Sequence, residues 1–159
     1  MDKEGNIVDF LLTAKRNKAA AHRFSTRPLV EDICKELTIH ATIEEELFYL
    51  AARAAINDNE LINEAEIEHA VLKYLIQQLM PVNKSDERFL AKVTVLREYT
   101  KHHMNDEETE VFPKAKRSNL DLSALGRQLA DRKKALRDQL KTPEQVIGFE
   151  PVKYFVGKA

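Results

Sequence analysis

Tryptophan is missing from this 159-residue chain, cysteine occurs once, and glycine and proline number only four and five. Each scarcity removes a class of structure. A lone cysteine forms no internal disulfide, so a disulfide-stapled secreted fold is excluded and a reducing compartment is the natural setting. With so little glycine and proline there is not enough turn-forming material for a sheet-rich domain. The formal net charge of −1 gives no electrostatic case for binding nucleic acid or an anionic membrane. Nor does any span approach the roughly 20 consecutive apolar residues that crossing a bilayer takes. The opening Met-Asp-Lys-Glu-Gly-Asn leads into a short, charge-interrupted apolar run with no cleavage site, unlike a signal peptide. A cytoplasmic protein is therefore expected. Gly-rich phosphate loops, His-Glu-x-x-His and nucleophile elbows are absent as well.

What remains is material for helices. Leu, Ala, Glu, Lys and Arg dominate, hydrophobic residues make up 43% and charged residues 32%, and the length suits one domain with a real core. A first helix is expected over Asn6–Phe24, with Val8, Leu12, Ala19 and His22 on one side and Lys15 interrupting it. Ser25-Thr26-Arg27-Pro28 forms a boundary, Thr26 as N-cap and Pro28 in the next first turn. The second helix runs to about Ala55, where Cys34 beside Ile33 reads as a small packed residue. A third helix starts near Asn63 and ends at Met80-Pro81, with its seam at Ile62, Ala65, His69, Leu72, Ile76 and Leu79. The fourth begins at Ser85-Asp-Glu, carries Phe89, Val93, Leu96, Thr100, His103 and Glu107, and closes at Pro113 with a ragged turn through Lys116. Asp121–Lys141 is amphipathic through Leu122, Leu125, Leu129, Leu136 and Leu140. From Thr142 to Ala159 no helical period is visible, and an extended tail is expected. The fold class is all-α: an up-down-up-down four-helix bundle over residues 1–141 with an additional C-terminal helix laid alongside, then the tail over 142–159.

The second helix holds the feature around which the rest is arranged. Apolar residues recur at Val30, Ile33 and Leu37, and continuing that spacing brings His40, Glu44, Leu47 and Ala51 to the same seam. A histidine and a carboxylate thus stand one turn apart, roughly 6 Å along the axis, where aliphatic residues are due. Burying an ionised carboxylate without a partner costs several kcal/mol, so the site needs a counter-charge or a metal. His69 and His103 lie on the seams of two other helices, and Glu107 follows His103 by one turn. His40-x-x-x-Glu44-Glu45 recurs as His103-x-x-x-Glu107-Glu108. Imidazole with carboxylate and no thiolate suits iron, manganese or zinc, and two carboxylates can bridge a metal pair. The competing reading is a set of interior polar residues that satisfy one another. Glu45, Glu46, Glu108 and Glu110 read as solvated faces, with Glu108 the alternate to Glu107, and His102 falls on the rim. Glu66-x-x-His69 spells one Glu-x-x-His element, but a ferritin-like dimetal site needs two.

These residues resemble the hemerythrin-like (HHE cation-binding) domain. The likeness rests on His40-x-x-x-Glu44-Glu45-Glu46-Leu-Phe-Tyr, on Glu68-His69, and on His103-x-x-x-Glu107-Glu108-Thr-Glu-Val-Phe-Pro113, and it extends from about Leu11 to Leu140. It implies a four-helix bundle with a non-haem di-iron centre, and a role in oxygen carriage or sensing, iron handling, or defence against nitric oxide or peroxide. Carried over by position, His40, Glu44, His69, His103 and Glu107 or Glu108 are the implied metal ligands. Two departures stand out. Lys15-Arg16 occupy the place of the first-helix Asp-His, and Lys73 that of a second histidine four residues beyond His69. A guanidinium does not ligate and repels a nearby cation.

The expectation is thus a metal-binding protein, one or two iron ions its cofactor, that binds a small ligand such as oxygen, nitric oxide or peroxide rather than turning over as a fast enzyme. A protein partner or self-association is compatible with it. The alternative is a metal-free helical interaction module of the same fold, motivated by Arg16 and Lys73. A small peroxidase-like or nitric-oxide-metabolising enzyme is a third option.

Overall fold

The computed structural model describes residues 26–80 and 86–149. The expected first helix, with Lys15, Arg16 and His22, and the segment from 150 onward lie outside them. Every regular element among the described residues is helical. The first, α1, is continuous in three parts: Thr26–Ile43 in α geometry, a π turn over Glu44–Phe48, and Tyr49–Ala55 in α geometry again. Then come α2 (Asn59–Leu79) and α3, which repeats the pattern as Phe89–Asp106, a π turn at Glu107–Val111, and Phe112–Arg117. They are followed by α4 (Leu122–Gln139) and a short α5 (Pro143–Ile147). No helix among the described residues is long and apolar enough to cross a membrane.

α2 packs between α1 and α3, while α4 and α5 lie against α1. The apolar side chains collect in two separate cores. One holds Val30, Cys34, Leu37, Leu72, Ile76, Leu96, Leu136 and Leu140. The other holds Phe48, Tyr49, Ala52, Ile62, Ala65, Val111 and Leu125. Between them lies a layer of buried polar residues: His40, Glu44, His69, Thr100, His103 and Glu107. The expected α2 seam is buried at every position, and Cys34 is a packed core residue. Thr38 and Thr42 are buried inside α1 at little cost, since their hydroxyls donate to the carbonyls of Cys34 and Thr38 one turn back, at 2.8 and 2.7 Å.

Four local expectations are corrected. On α1 the seam past Glu44 was expected through Leu47 and Ala51, yet Phe48 and Ala52 are buried and Leu47 and Ala51 only partly so. The π turn inserts one residue, so every later side chain moves one place along the sequence. Pro113 does not close α3. It lies directly after the π turn, at the start of a fresh α segment where a missing N–H is tolerated. α2 starts at Asn59 rather than Asn63, because the Asp58 carboxylate caps it by accepting from the Leu61 amide at 3.2 Å. The segment after Thr142 is not wholly extended. Thr142 and Gln145 form a reciprocal capping box around Pro143 at the first position, and α5 buries Val146. That Thr-Pro-x-Gln signature is legible in the sequence, but one turn is too short to show a period.

The candidate metal centre

Three helices deliver the polar layer. His40 and Glu44 come from α1, His69 from the middle of α2, and His103 and Glu107 from α3, each His–Glu pair one turn apart and ending where its π turn begins. The ring nitrogens meet tip to tip. His69 Nε2 is 2.9 Å from His103 Nε2, which is 3.4 Å from His40 Nε2. Glu44 Oε2 lies 3.1 Å from His40 Nε2 and 3.4 Å from His69 Nε2; Glu107 Oε2 lies 3.5 Å from His103 Nε2 and 3.9 Å from His40 Nε2. Donor atoms held at roughly 2.0–2.1 Å around one ion stand about 3 Å apart. The spacing of this cluster is that of a cation-binding shell.

The far sides of two rings decide which protons they carry. His69 Nδ1 donates to Glu45 Oε1 at 3.1 Å, and His103 Nδ1 donates to Glu68 Oε2 at 2.7 Å. With Nδ1 protonated, both Nε2 atoms turn their lone pairs inward at 2.9 Å from each other. Two lone pairs at that distance repel unless a positive centre sits between them. Carboxylates behind ring nitrogens are also what orients histidines toward a metal and raises their basicity. The donor chemistry therefore fits a cation.

Tyr49 completes the layer. Its hydroxyl donates to Glu107 Oε1 at 2.8 Å and lies 3.4 Å from Glu44 Oε2 and 3.3 Å from His69 Nε2. Sequence reasoning missed it because Tyr49 is five residues past Glu44, off the α seam. A π turn places i and i+5 in line, and the Tyr49 amide donates to the Glu44 carbonyl in that pattern. The repeated His-x-x-x-Glu-Glu was the only hint that both helices share the irregularity.

Burial dominates the electrostatics. It holds His40 well below the usual histidine range, helped by the neighbouring His69 and His103 and by Lys133. His69 is held low by burial, then by His103 and Lys73. Glu44 is pushed well up by burial and by Glu107, and Glu107 is pushed up by burial against the opposing pull of His103 and the Tyr49 hydroxyl. The two carboxyl groups, hydrogen-bonded to each other, hold on to a proton. The phenol of Tyr49 is raised by burial and by both carboxylates, so it stays a donor.

The remaining residues singled out from the sequence fall elsewhere. Glu108 is exposed and stays outside the cluster; Glu107 takes the inward place. Glu45 is no solvated charge, since it is half-buried between His69 and Lys73, whose ammonium donates to both its oxygens at 2.6 Å. Lys73 thus pairs with Glu45, while its charge still helps hold His69 low. Glu46 pairs with Arg132 of α4 at 2.6 and 3.0 Å, tying α4 to the π turn. Glu66 pairs with Arg53 at 2.8 Å. His102 is on the rim, as expected, near Asp106 and Glu68.

Such a layer, with nitrogen and oxygen donors converging from three helices, defines the chain as a helical protein carrying a buried His/Glu cluster compatible with metal binding. The chain belongs to the hemerythrin HHE cation binding domain family, whose model matches residues 6–115. Neither curated proteins nor solved structures gave a match.

Proposed function

We propose that this chain is a cytoplasmic, hemerythrin-like non-haem iron protein of the four-helix-bundle type. It would respond to oxygen, nitric oxide or peroxide through ligand binding rather than fast turnover. One observation carries the reading: three imidazole Nε2 atoms and the Glu44 carboxylate converge, Glu107 lies alongside His103, and His69 and His103 are backed by Glu45 and Glu68. His40, His69, His103 and Glu44 would hold the ion, with Glu107 as a further carboxylate beside it. Iron bound there would supply a redox-active ion with a coordination position free for a small ligand.

The chain's own residues do the rest. Glu45 and Glu68 fix the tautomers of His69 and His103 and aim their lone pairs inward. Tyr49 turns Glu107 by holding Oε1, which leaves Oε2 for the centre. The apolar cores on either side exclude water and so strengthen every charge–charge interaction in the layer. The described donors converge on one centre, so one ion per chain is the expectation from them.

Elemental analysis of protein expressed in iron-supplemented medium tests this, together with visible spectra of the anaerobic ferrous protein before and after oxygen. About one iron per chain and a spectral response support the reading; no retained metal would overturn it. An Arg16→His variant that rises toward two irons would show that the first-helix substitution removed a second site.

A further inference from the structure

Beside the centre lies a cavity of about 320 Å³ between α1, α3 and α4. Its deep end is formed by His40, Glu44 and Glu107; His69 and His103 do not reach it. The side walls are apolar, from Phe48, Phe112, Leu125 and Leu129. Lys133, half-buried on α4, adds an ammonium near His40 and Glu44, while the exposed Lys116 and Glu108, of opposite charge, also line the cavity.

Size and shape argue against a diatomic molecule as its only occupant. At roughly 30 Å³ per small polar molecule or heavy-atom group, the space holds about ten non-hydrogen atoms, and it falls within the usual range of pockets for organic ligands. Gly126 on the wall is equally informative. Glycine inside a helix costs about 1 kcal/mol against alanine, and here no neighbour demands it: a Cβ at Gly126 would meet nothing within 4 Å. Its effect is to keep the chamber wide.

Resting on the metal reading above, we propose that this cavity binds an organic carboxylate of medium chain length. The head group faces the metal-loaded layer and Lys133, and the apolar tail lies along Phe48, Phe112 and Leu129. Without a cation, Glu44 and Glu107 would repel such an anion; with one, the deep end becomes attractive. Lys133 supplies charge from the opposite wall and makes the site selective for anions over neutral alcohols of equal length.

The test is calorimetric titration of the iron-loaded protein with acetate and with octanoate, with iron per chain measured on the same samples. Octanoate should bind far more tightly than acetate, approaching roughly fourfold per added methylene while the tail stays inside the cavity. Gly126→Leu, which fills the chamber, should weaken octanoate by about tenfold or more, as should Lys133→Gln, both with unchanged iron content. Loaded protein that binds octanoate no better than acetate, or a Gly126→Leu variant that binds it as well as the parent, overturns the proposal alone. A parent chain that retains no iron overturns the metal reading, and this proposal with it.

Discussion

Replacing Tyr49 with phenylalanine removes one oxygen from the middle of the polar layer and leaves its shape intact. That hydroxyl is the donor to Glu107 Oε1 at 2.8 Å and the near neighbour of Glu44 Oε2 and His69 Nε2. A hydrogen bond to a charged acceptor contributes about 1.5–3 kcal/mol net, and here the abandoned acceptor is a buried carboxylate. We expect the metal-free variant to lose about 2 kcal/mol, which for a chain of this length is roughly 4–8 °C in Tm. The metal-loaded form tests the positioning role. Once Glu107 is free to swing, metal affinity should fall about 10- to 100-fold, the range seen when outer partners of ligands are lost. Competition against a chelator of known affinity measures the second quantity, and thermal melts of apo and loaded protein the first. A Tyr49→Phe protein whose affinity stays within about twofold of the parent would refute the claim that Tyr49 orients Glu107. An unchanged apo Tm would refute the hydrogen bond's energetic role.

Three further outcomes follow from the same geometry. Glu68→Gln deprives His103 Nδ1 of its anionic acceptor, so metal affinity should drop about tenfold or more at unchanged stoichiometry, read by the same competition. Metal binding should release protons, because Glu44 and Glu107 are raised and keep a proton that the cation must displace. Affinity therefore increases with pH, and the calorimetric enthalpy should shift with the ionisation heat of the buffer. In the metal-free protein the raised carboxyls contribute stability that is full below the unfolded carboxylate pKa and lost as pH rises. The lowered His40 and His69 have the opposite sign: their stability is present above the unfolded histidine pKa and lost as pH falls. Loading with metal should cancel the carboxyl slope, because Glu44 and Glu107 are then deprotonated in the folded state, and should keep or steepen the loss at low pH in a pH series of melts. Finally, Leu136 is fully buried where α4 meets α1, and Leu136→Ala should cost about 2–5 kcal/mol in a denaturant titration. A loss below about 1 kcal/mol would show that α4 is not part of the core.

What the sequence determined alone is whatever repeats locally. A 3.6-residue period needs no partner to be legible, so the seam Ile62-Ala65-His69-Leu72-Ile76-Leu79 is buried as read, and it placed His69 inside. The same count brought His40, Glu44, His103 and Glu107 together, because a polar residue on an otherwise apolar seam can only be facing the interior. Tertiary structure decided the rest. A π turn breaks the period by one residue, and no local preference in Glu-Glu-Glu-Leu-Phe announces it; packing Phe48, Tyr49 and Ala52 into the second core holds it in place. Tyr49 consequently entered the layer from a position the count had assigned elsewhere. Glu45 looks solvated on its own helix and Glu68 lies off the seam of its own, and only the neighbouring helix makes them the acceptors behind His69 and His103. The reason is one of range. Periodicity records which face of a helix avoids water, whereas the partner behind a ring nitrogen or a phenol comes from residues 20 to 58 positions away in sequence, where no local pattern reaches.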